Sequence, residues 1–155
     1  MRASTHKHRV GLTELTFFLI GIILLLLLAV VAKGQQPVYN QYRGVRLGMT
    51  AAEARAKLGD PVLKTDEQDY YVLSPNESTQ IVYDASQKVV TISTDYVNGV
   101  GAPDYKTVLG EGALLERPDG SLFKMVQYRS AGMWVSYNKS AAIAPMVTVT
   151  IQVMK

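Results

Sequence analysis

The sequence predicts an α+β protein, in which a single N-terminal transmembrane helix precedes a small domain of short helices packed on an antiparallel sheet. Three observations lead to this fold class. An uncharged run of 18 residues, 15–32, includes five consecutive leucines. Residues 48–61 carry start and stop signals for a short helix, and later segments alternate between apolar and polar residues. A chain of 155 residues has room for one anchor and one small folded domain.

The apolar run has the length of a membrane-spanning helix. Eighteen helical residues extend about 27 Å, close to the roughly 30 Å thickness of the hydrocarbon layer. Lipid offers no partner to backbone polar groups, so a run of this composition favours a helix that satisfies its own. The sequence therefore predicts a lipid-bilayer contact through residues 15–32. The alternative is a signal peptide cleaved after Ala32, which would also export the rest of the chain.

The positive charge of the chain is concentrated at its beginning. The net charge is +3, and residues 38–155 have 12 basic and 12 acidic residues. The tail before the apolar run carries three basic residues, Arg2, Lys7 and Arg9. The positive-inside rule then predicts a cytoplasmic tail at residues 1–14, a linker at 33–43 and an exported domain at 44–155. A neutral domain without a basic stripe argues against a nucleic-acid partner.

The stretch GMTAAEARAKLGDP predicts a short helix with defined ends. Thr50 and Glu53 form a capping box, in which each side chain accepts from the other residue's backbone N–H. Gly59 is predicted to close the helix in a left-handed conformation, and Pro61 prevents its continuation. The residues of this structural motif are Gly48, Met49, Thr50, Glu53, Leu58, Gly59 and Pro61. None of them is predicted to be reactive, because the glycine spacing of a phosphate-binding loop is missing.

The stretch GVRLGMTAAEARAKLGDP resembles the opening motif of the SmpA/OmlA family, the BamE-type small components of outer-membrane protein assembly. The resemblance covers about residues 44–93 and includes the later segments YYVLSP and IVYDASQKVVTI. It implies a fold similar to that of the β-lactamase inhibitor protein, a bacterial source and a role in cell-envelope assembly. The family lipoproteins carry an acylated cysteine, whereas this chain has no cysteine.

A second copy of the helix motif follows 51 residues after the first. GMTAAEARAKLGDP aligns with GVGAPDYKTVLGEG, so that Gly48 matches Gly99 and Gly59 matches Gly110. Strand-like segments follow both copies: VYDASQKVVTI follows the first, and 121–129, 133–138 and the strictly alternating 146–154 follow the second. The alignment predicts two tandem helix-plus-sheet repeats, 44–96 and 97–155.

Residue types for common catalytic chemistry are missing from the predicted domain. The only histidines, His6 and His8, lie in the tail, and the chain has no cysteine. This argues against triads, histidine acid–base catalysis and ordinary zinc sites. The remaining candidates for a carboxylate pair are Asp66, Glu67, Asp69 and Asp84, and their spacing fits no calcium loop. We therefore predict no enzymatic activity, no catalytic residues, no metal site and no cofactor.

Aromatic residues are the strongest indication of function. All nine tyrosines and the single tryptophan lie in residues 38–155, and both residue types are enriched at protein interfaces. Tyr70, Tyr71 and Trp134 are the predicted partner-binding residues. Because adjacent strand residues point to opposite faces, one of the two tyrosines is expected in the core.

These observations predict a membrane-anchored, non-enzymatic protein-interaction module that faces the periplasm and serves cell-envelope assembly. Its protein partner is expected to be periplasmic or membrane-embedded, and its location the bacterial inner membrane with a cytoplasmic N-terminus. Two alternatives remain open. One is an accessory single-pass subunit of a larger respiratory, photosynthetic or transport complex. The other is a soluble exported inhibitor or enzyme released by signal cleavage.

Overall fold

The computed structural model describes residues 35–154. It contains two short α-helices and eight strands. The helices are α1 (Ala51–Leu58) and α2 (Tyr105–Leu109). The strands are β1 (Leu63–Lys64), β2 (Gln68–Ser74), β3 (Glu77–Tyr83), β4 (Val89–Tyr96), β5 (Leu115–Glu116), β6 (Leu122–Tyr128), β7 (Met133–Lys139) and β8 (Val147–Val153).

The eight strands form one antiparallel sheet in two four-stranded halves. Its order is β1-β2-β3-β4-β8-β7-β6-β5, so β4 and β8 meet at the centre and the two-residue strands β1 and β5 lie at the edges. Within each half a short helix precedes four strands. Short edge strands limit the exposed backbone at which another chain could pair.

One face of the sheet carries the core. Buried side chains alternate along the strands, as in β8, where Val147, Val149 and Ile151 are buried and the residues between them are not. The alternation predicted for residues 146–154 is therefore confirmed. Both helices lie on this face: Arg55 of α1 bonds Asp69 of β2, and Tyr105 of α2 packs edge-on against Tyr137 of β7 with ring centroids 6.3 Å apart.

Helix α1 begins and ends at the residues that the sequence indicates. The Thr50 hydroxyl accepts from the Glu53 N–H at 3.2 Å, and the Glu53 carboxylate accepts from the Thr50 N–H at 2.8 Å. Gly59 follows the last helical residue with φ 84° and ψ −157°. This is not the left-handed helical conformation that we predicted, but an extended one with positive φ that essentially only glycine adopts.

The fold-class prediction is wrong in its balance of elements. The described residues form a mostly β protein with one eight-stranded antiparallel sheet, not an α+β domain. Its helices are short because Gly59 and Gly110 end them after eight and five residues. The transmembrane helix that completed the predicted fold class falls on residues 15–32, outside the described residues. Within 35–154 no helix has the length and apolar character needed to cross a membrane.

The segment before α1 belongs to the folded unit. Tyr42 is buried, and its hydroxyl donates to the Glu77 carboxylate at 2.7 Å. Burial, together with this bond to an anion, raises the pKa of Tyr42. Val45 is fully buried and pairs with Tyr42 through two backbone hydrogen bonds. Tyr42, predicted as part of a linker, therefore packs on the sheet.

Candidate interaction surface

The sheet face opposite the helices, here called the open face, is not covered by any described element. Its side chains form three rows across strands β2, β3, β4, β8, β7 and β6, in that order. The first row is Gln68, Val82, Thr91, Gln152, Trp134 and Gln127. The second row is Tyr70, Gln80, Ser93, Thr150, Ser136 and Met125. The third row is Val72, Ser78, Asp95, Thr148, Asn138 and Phe123.

The middle of the open face is a polar lane whose side chains bond one another. The Ser93 and Thr150 hydroxyls lie 3.1 Å apart between the two central strands. Thr148 donates to the carboxylate of Asp95 at 2.6 Å, and Asp95 is the only charged residue among the three rows. Because the hydroxyls of Ser93, Thr150 and Thr148 already have partners, a protein surface could cover them at a lower desolvation cost than unpaired hydroxyls would impose.

Apolar side chains flank this lane on both sides. Tyr70 and Val72 lie on β2, and Val72 is 55 % exposed. Trp134 lies on β7 and Met125, 44 % exposed, on β6. Strands β2 and β7 are four inter-strand steps apart, about 19 Å at the usual spacing. The open face therefore offers two apolar contacts separated by a nearly neutral lane.

Charged residues lie at the corners of the open face. Arg129 lies beside Trp134 and Gln127, with which it lines an open groove of about 540 Å³. At the other end of the same row, Asp66 and Glu67 precede Gln68 and line a groove of about 820 Å³ that also includes Asp84. Near the third row, the Arg117 guanidinium stacks 4.2 Å from the centroid of the Phe123 ring. The first row thus runs from an acidic corner to a basic one.

The structure separates the three predicted partner-binding residues. Tyr70 and Trp134 both lie on the open face, on opposite sides of the lane. Tyr71 is only 1 % exposed and points to the helix side, so it cannot contact a partner without unfolding. Tyr70 and Trp134 remain as candidates for a shared binding surface.

Tyr71 belongs instead to a buried polar cluster centred on Asp69. The fully buried Asp69 carboxylate accepts from Arg55 Nε at 2.7 Å and from the hydroxyls of Tyr83 at 2.6 Å and Tyr71 at 3.2 Å. Burial by itself would raise the pKa of Asp69, but the bonds from Arg55 and Tyr83 outweigh it and hold this pKa below its usual value. Burial and the neighbouring anion raise the pKa of Tyr71 to about 12.

This cluster is structural in character. An ionised carboxylate that already accepts four hydrogen bonds is a poor base, and the Arg55 side chain ties helix α1 to strand β2. Asp84, another carboxylate of the candidate set, accepts from the backbone N–H groups of Ser86 and Lys88 in the turn between β3 and β4. Residues 35–154 contain no group of three or more side chains able to hold a metal ion.

Sequence reasoning missed Phe123, Met125, Val72 and the corner charge of Arg129. Each strand taken alone shows which residues share a side, but only the pairing register shows which strands lie beside one another. The apolar residues at alternate positions of segment 121–129 were the available signal. They could not be assigned to the core or to the open face without the position of α2.

Comparison of the chain with protein-family models, with curated proteins and with solved structures finds no match. The functional interpretation therefore rests on the open face itself.

Proposed function

We propose that this protein is a non-enzymatic protein-binding module whose open face contacts its partner. The observation that carries the proposal is the placement of Tyr70 and Trp134 on the same face, on opposite sides of a polar lane whose central side chains hydrogen-bond to one another. Aromatic anchors beside satisfied polar groups are typical of protein interfaces. The carboxylates Asp69 and Asp84 are engaged in structural bonds, so they offer no support for an enzyme.

The free energy of binding would come from covering the apolar area at the two sides of the open face. Covering the exposed parts of Val72 and Met125 would contribute on the order of 1 kcal/mol each, at about 25 cal/mol per Å². A buried aromatic anchor such as Trp134 contributes more, typically about 2 kcal/mol at a hot spot. With a single acidic side chain among the eighteen, the face depends little on charge.

The resemblance of residues 44–93 to the SmpA/OmlA family adds to this proposal, since those small domains serve the assembly of other proteins. Helix α1 and the strands β1 to β4 occupy the residues that carry this resemblance. An accessory subunit of a larger membrane complex would differ only in the identity of the partner, and the mass of a photo-crosslinked adduct reports that identity.

Site-specific photo-crosslinking in living cells tests the proposal. A photoreactive residue at Tyr70 or Met125, both on the open face, should give adducts of discrete mass. The same residue at Ala56, exposed on helix α1, is the matched control and should give none. Adducts from Ala56 alone, or from no position, would refute an interface on the open face.

Substitution then separates binding from stability. Trp134→Ala should weaken partner binding about 30-fold, equivalent to about 2 kcal/mol. The melting temperature should fall less than for truncation of a fully buried core residue such as Tyr71, because part of Trp134 is exposed in the free protein. Lys57→Ala, on the helix side, is the control for binding. Equal loss of binding in both variants would show that the open face has no special role.

A further inference from the structure

We propose that the partner seated on the open face is a second copy of this chain, in a face-to-face dimer with two-fold symmetry. This inference rests on the proposed function, because it uses the same face. The rows of the open face and its corner charges each complement themselves when a row is reversed.

The order of side chains within each row allows the row to match its own reverse. Consider a two-fold axis that runs parallel to the strands, between β4 and β8. It places each row of one copy opposite the same row of the second copy, in reverse order. Val82 then lies opposite Trp134, Tyr70 opposite Met125, and Val72 opposite Phe123. These are three apolar contacts, and the lane positions between them meet polar positions. Aligned packing of two twisted sheets at about −30° accommodates such a contact.

The corner charges are also complementary when a row is reversed. The first row has Asp66 and Glu67 beyond one end and Arg129 beyond the other. Arg129 makes no salt bridge with any side chain of the described part of the chain. Row reversal brings the Arg129 corner of each copy to the acidic corner of the other. The domain is neutral as a whole, so neither copy repels the other by net charge.

The area is sufficient for a specific but weak dimer. The six long strands make a face roughly 30 Å wide and 20 Å long at the usual strand spacings. Contact over this face would cover about 600 Å² of each copy, at the low end of specific interfaces. Both copies use the same face in this contact, so no such face remains free for a third copy. The contact therefore leads to dimers, not filaments.

The absence of cysteine permits a direct test on the full chain in mild detergent. Thr150→Cys places a single thiol at the centre of the open face, beside the axis. A short, flexible bismaleimide should link two copies efficiently, because both thiols project into the gap of about 10 Å between packed sheets. Ala56→Cys on helix α1 should not be linked above the level of random collision. Equal crosslinking at both positions would overturn the proposal.

Charge reversal makes the test specific to the proposed orientation. Arg129→Glu alone should reduce Thr150→Cys crosslinking at least tenfold, because two acidic corners would meet. The double variant Asp66→Lys, Glu67→Lys should do the same, because two basic corners would meet. Mixing the two variants should restore crosslinking, since every corner contact is then attractive. Failure of the mixture to recover, with each variant folded by circular dichroism, would exclude this arrangement.

Two outcomes separate this inference from the proposed function. Photo-adducts from Tyr70 at the mass of a different protein, without Thr150→Cys dimers, would retain the protein-binding open face and reject the second copy as its occupant. The absence of both adducts and dimers would reject the two together. The fluorescence emission of Trp134, the only tryptophan, should shift to shorter wavelength when the dimer forms and should shift back on dilution. An unchanged spectrum would contradict burial of this face.

Discussion

At the scale of single residues, Asp69 shows how the core was assembled around a charge. A carboxylate buried without partners would be very costly, and Arg55, Tyr71 and Tyr83 supply the hydrogen bonds that make its burial tolerable. In sequence, Asp69 belongs to the acidic stretch DEQD and looks like part of a solvated loop. Its role arises because strand β2 turns this side chain toward helix α1.

Replacing Asp69 by Asn should cost about 3 kcal/mol of stability, because it removes one partner of a buried ion pair. The pKa of Asp69 is lowered in the folded state. Its contribution is therefore present above the unfolded pKa of about 4 and is lost as pH falls through the lower folded value. Urea melts between pH 2 and pH 7 should show a shallower acid-side loss for Asp69→Asn than for the wild type.

The matched control for this measurement is Asp60→Asn, at an exposed position after helix α1. It should leave both the free energy of unfolding and its acid-side slope within about 0.5 kcal/mol of the wild type. Identical pH dependence in the wild type and Asp69→Asn would show that folding does not shift the pKa of this carboxylate.

Neighbouring Tyr70 and Tyr71 should respond oppositely to truncation. Tyr71→Ala removes a buried aromatic side chain and should cost about 3–5 kcal/mol, as large-to-small core substitutions do. Tyr70→Ala should change stability by less than about 1 kcal/mol and instead weaken contact at the open face. Chemical melts together with the crosslinking assay measure both effects. Similar melts for the two variants would contradict the assignment of opposite faces.

At the scale of elements, glycine ends both helices with the same backbone geometry. Gly59 has φ 84° and ψ −157°, and Gly110 has φ 74° and ψ −162°. Other residues adopt this region only with strain. The two glycines therefore fix where each helix stops and where the chain turns toward the edge strands β1 and β5.

Helix α1 should be sensitive at both ends. Gly59→Ala should cost about 1–3 kcal/mol from backbone strain alone, because no other atom lies within 4 Å of the added methyl group. Thr50→Ala should cost about 1 kcal/mol through loss of the cap. Thr107→Ala, exposed within α2, is the control and should be nearly neutral. A neutral Gly59→Ala in denaturant melts would contradict the helix end that the structure shows.

At the scale of the whole molecule, the two faces of the sheet are divided between stability and binding. One face packs against α1 and α2 and holds the core, while the other presents a neutral lane flanked by apolar residues. Since exposed charges are screened beyond about 10 Å at 0.1 M salt, binding by this face should depend only mildly on ionic strength. The corner charges set orientation more than affinity.

The location of the folded unit is a further proposal at this scale. Positive charge precedes the apolar segment 15–32, so residues 38–155 are expected outside the cytoplasm whether or not a leader is removed. Protease added to spheroplasts should digest this part of the chain and spare a cytoplasmic marker protein. Protection of residues 38–155 until the membrane is lysed would place them in the cytoplasm.

The sequence by itself determined the features that depend on neighbours along the chain. The capping box of Thr50 and Glu53, the glycine that ends α1 and the alternation of β8 follow from local hydrogen bonding, backbone strain and the two-residue period of a strand. The tertiary structure decided the mostly β balance, the burial of Asp69 and Tyr71, and the meeting of Tyr70 and Trp134 on one open face. These features depend on strand register and on the face that the helices cover, and both are set by contacts between residues far apart in the chain.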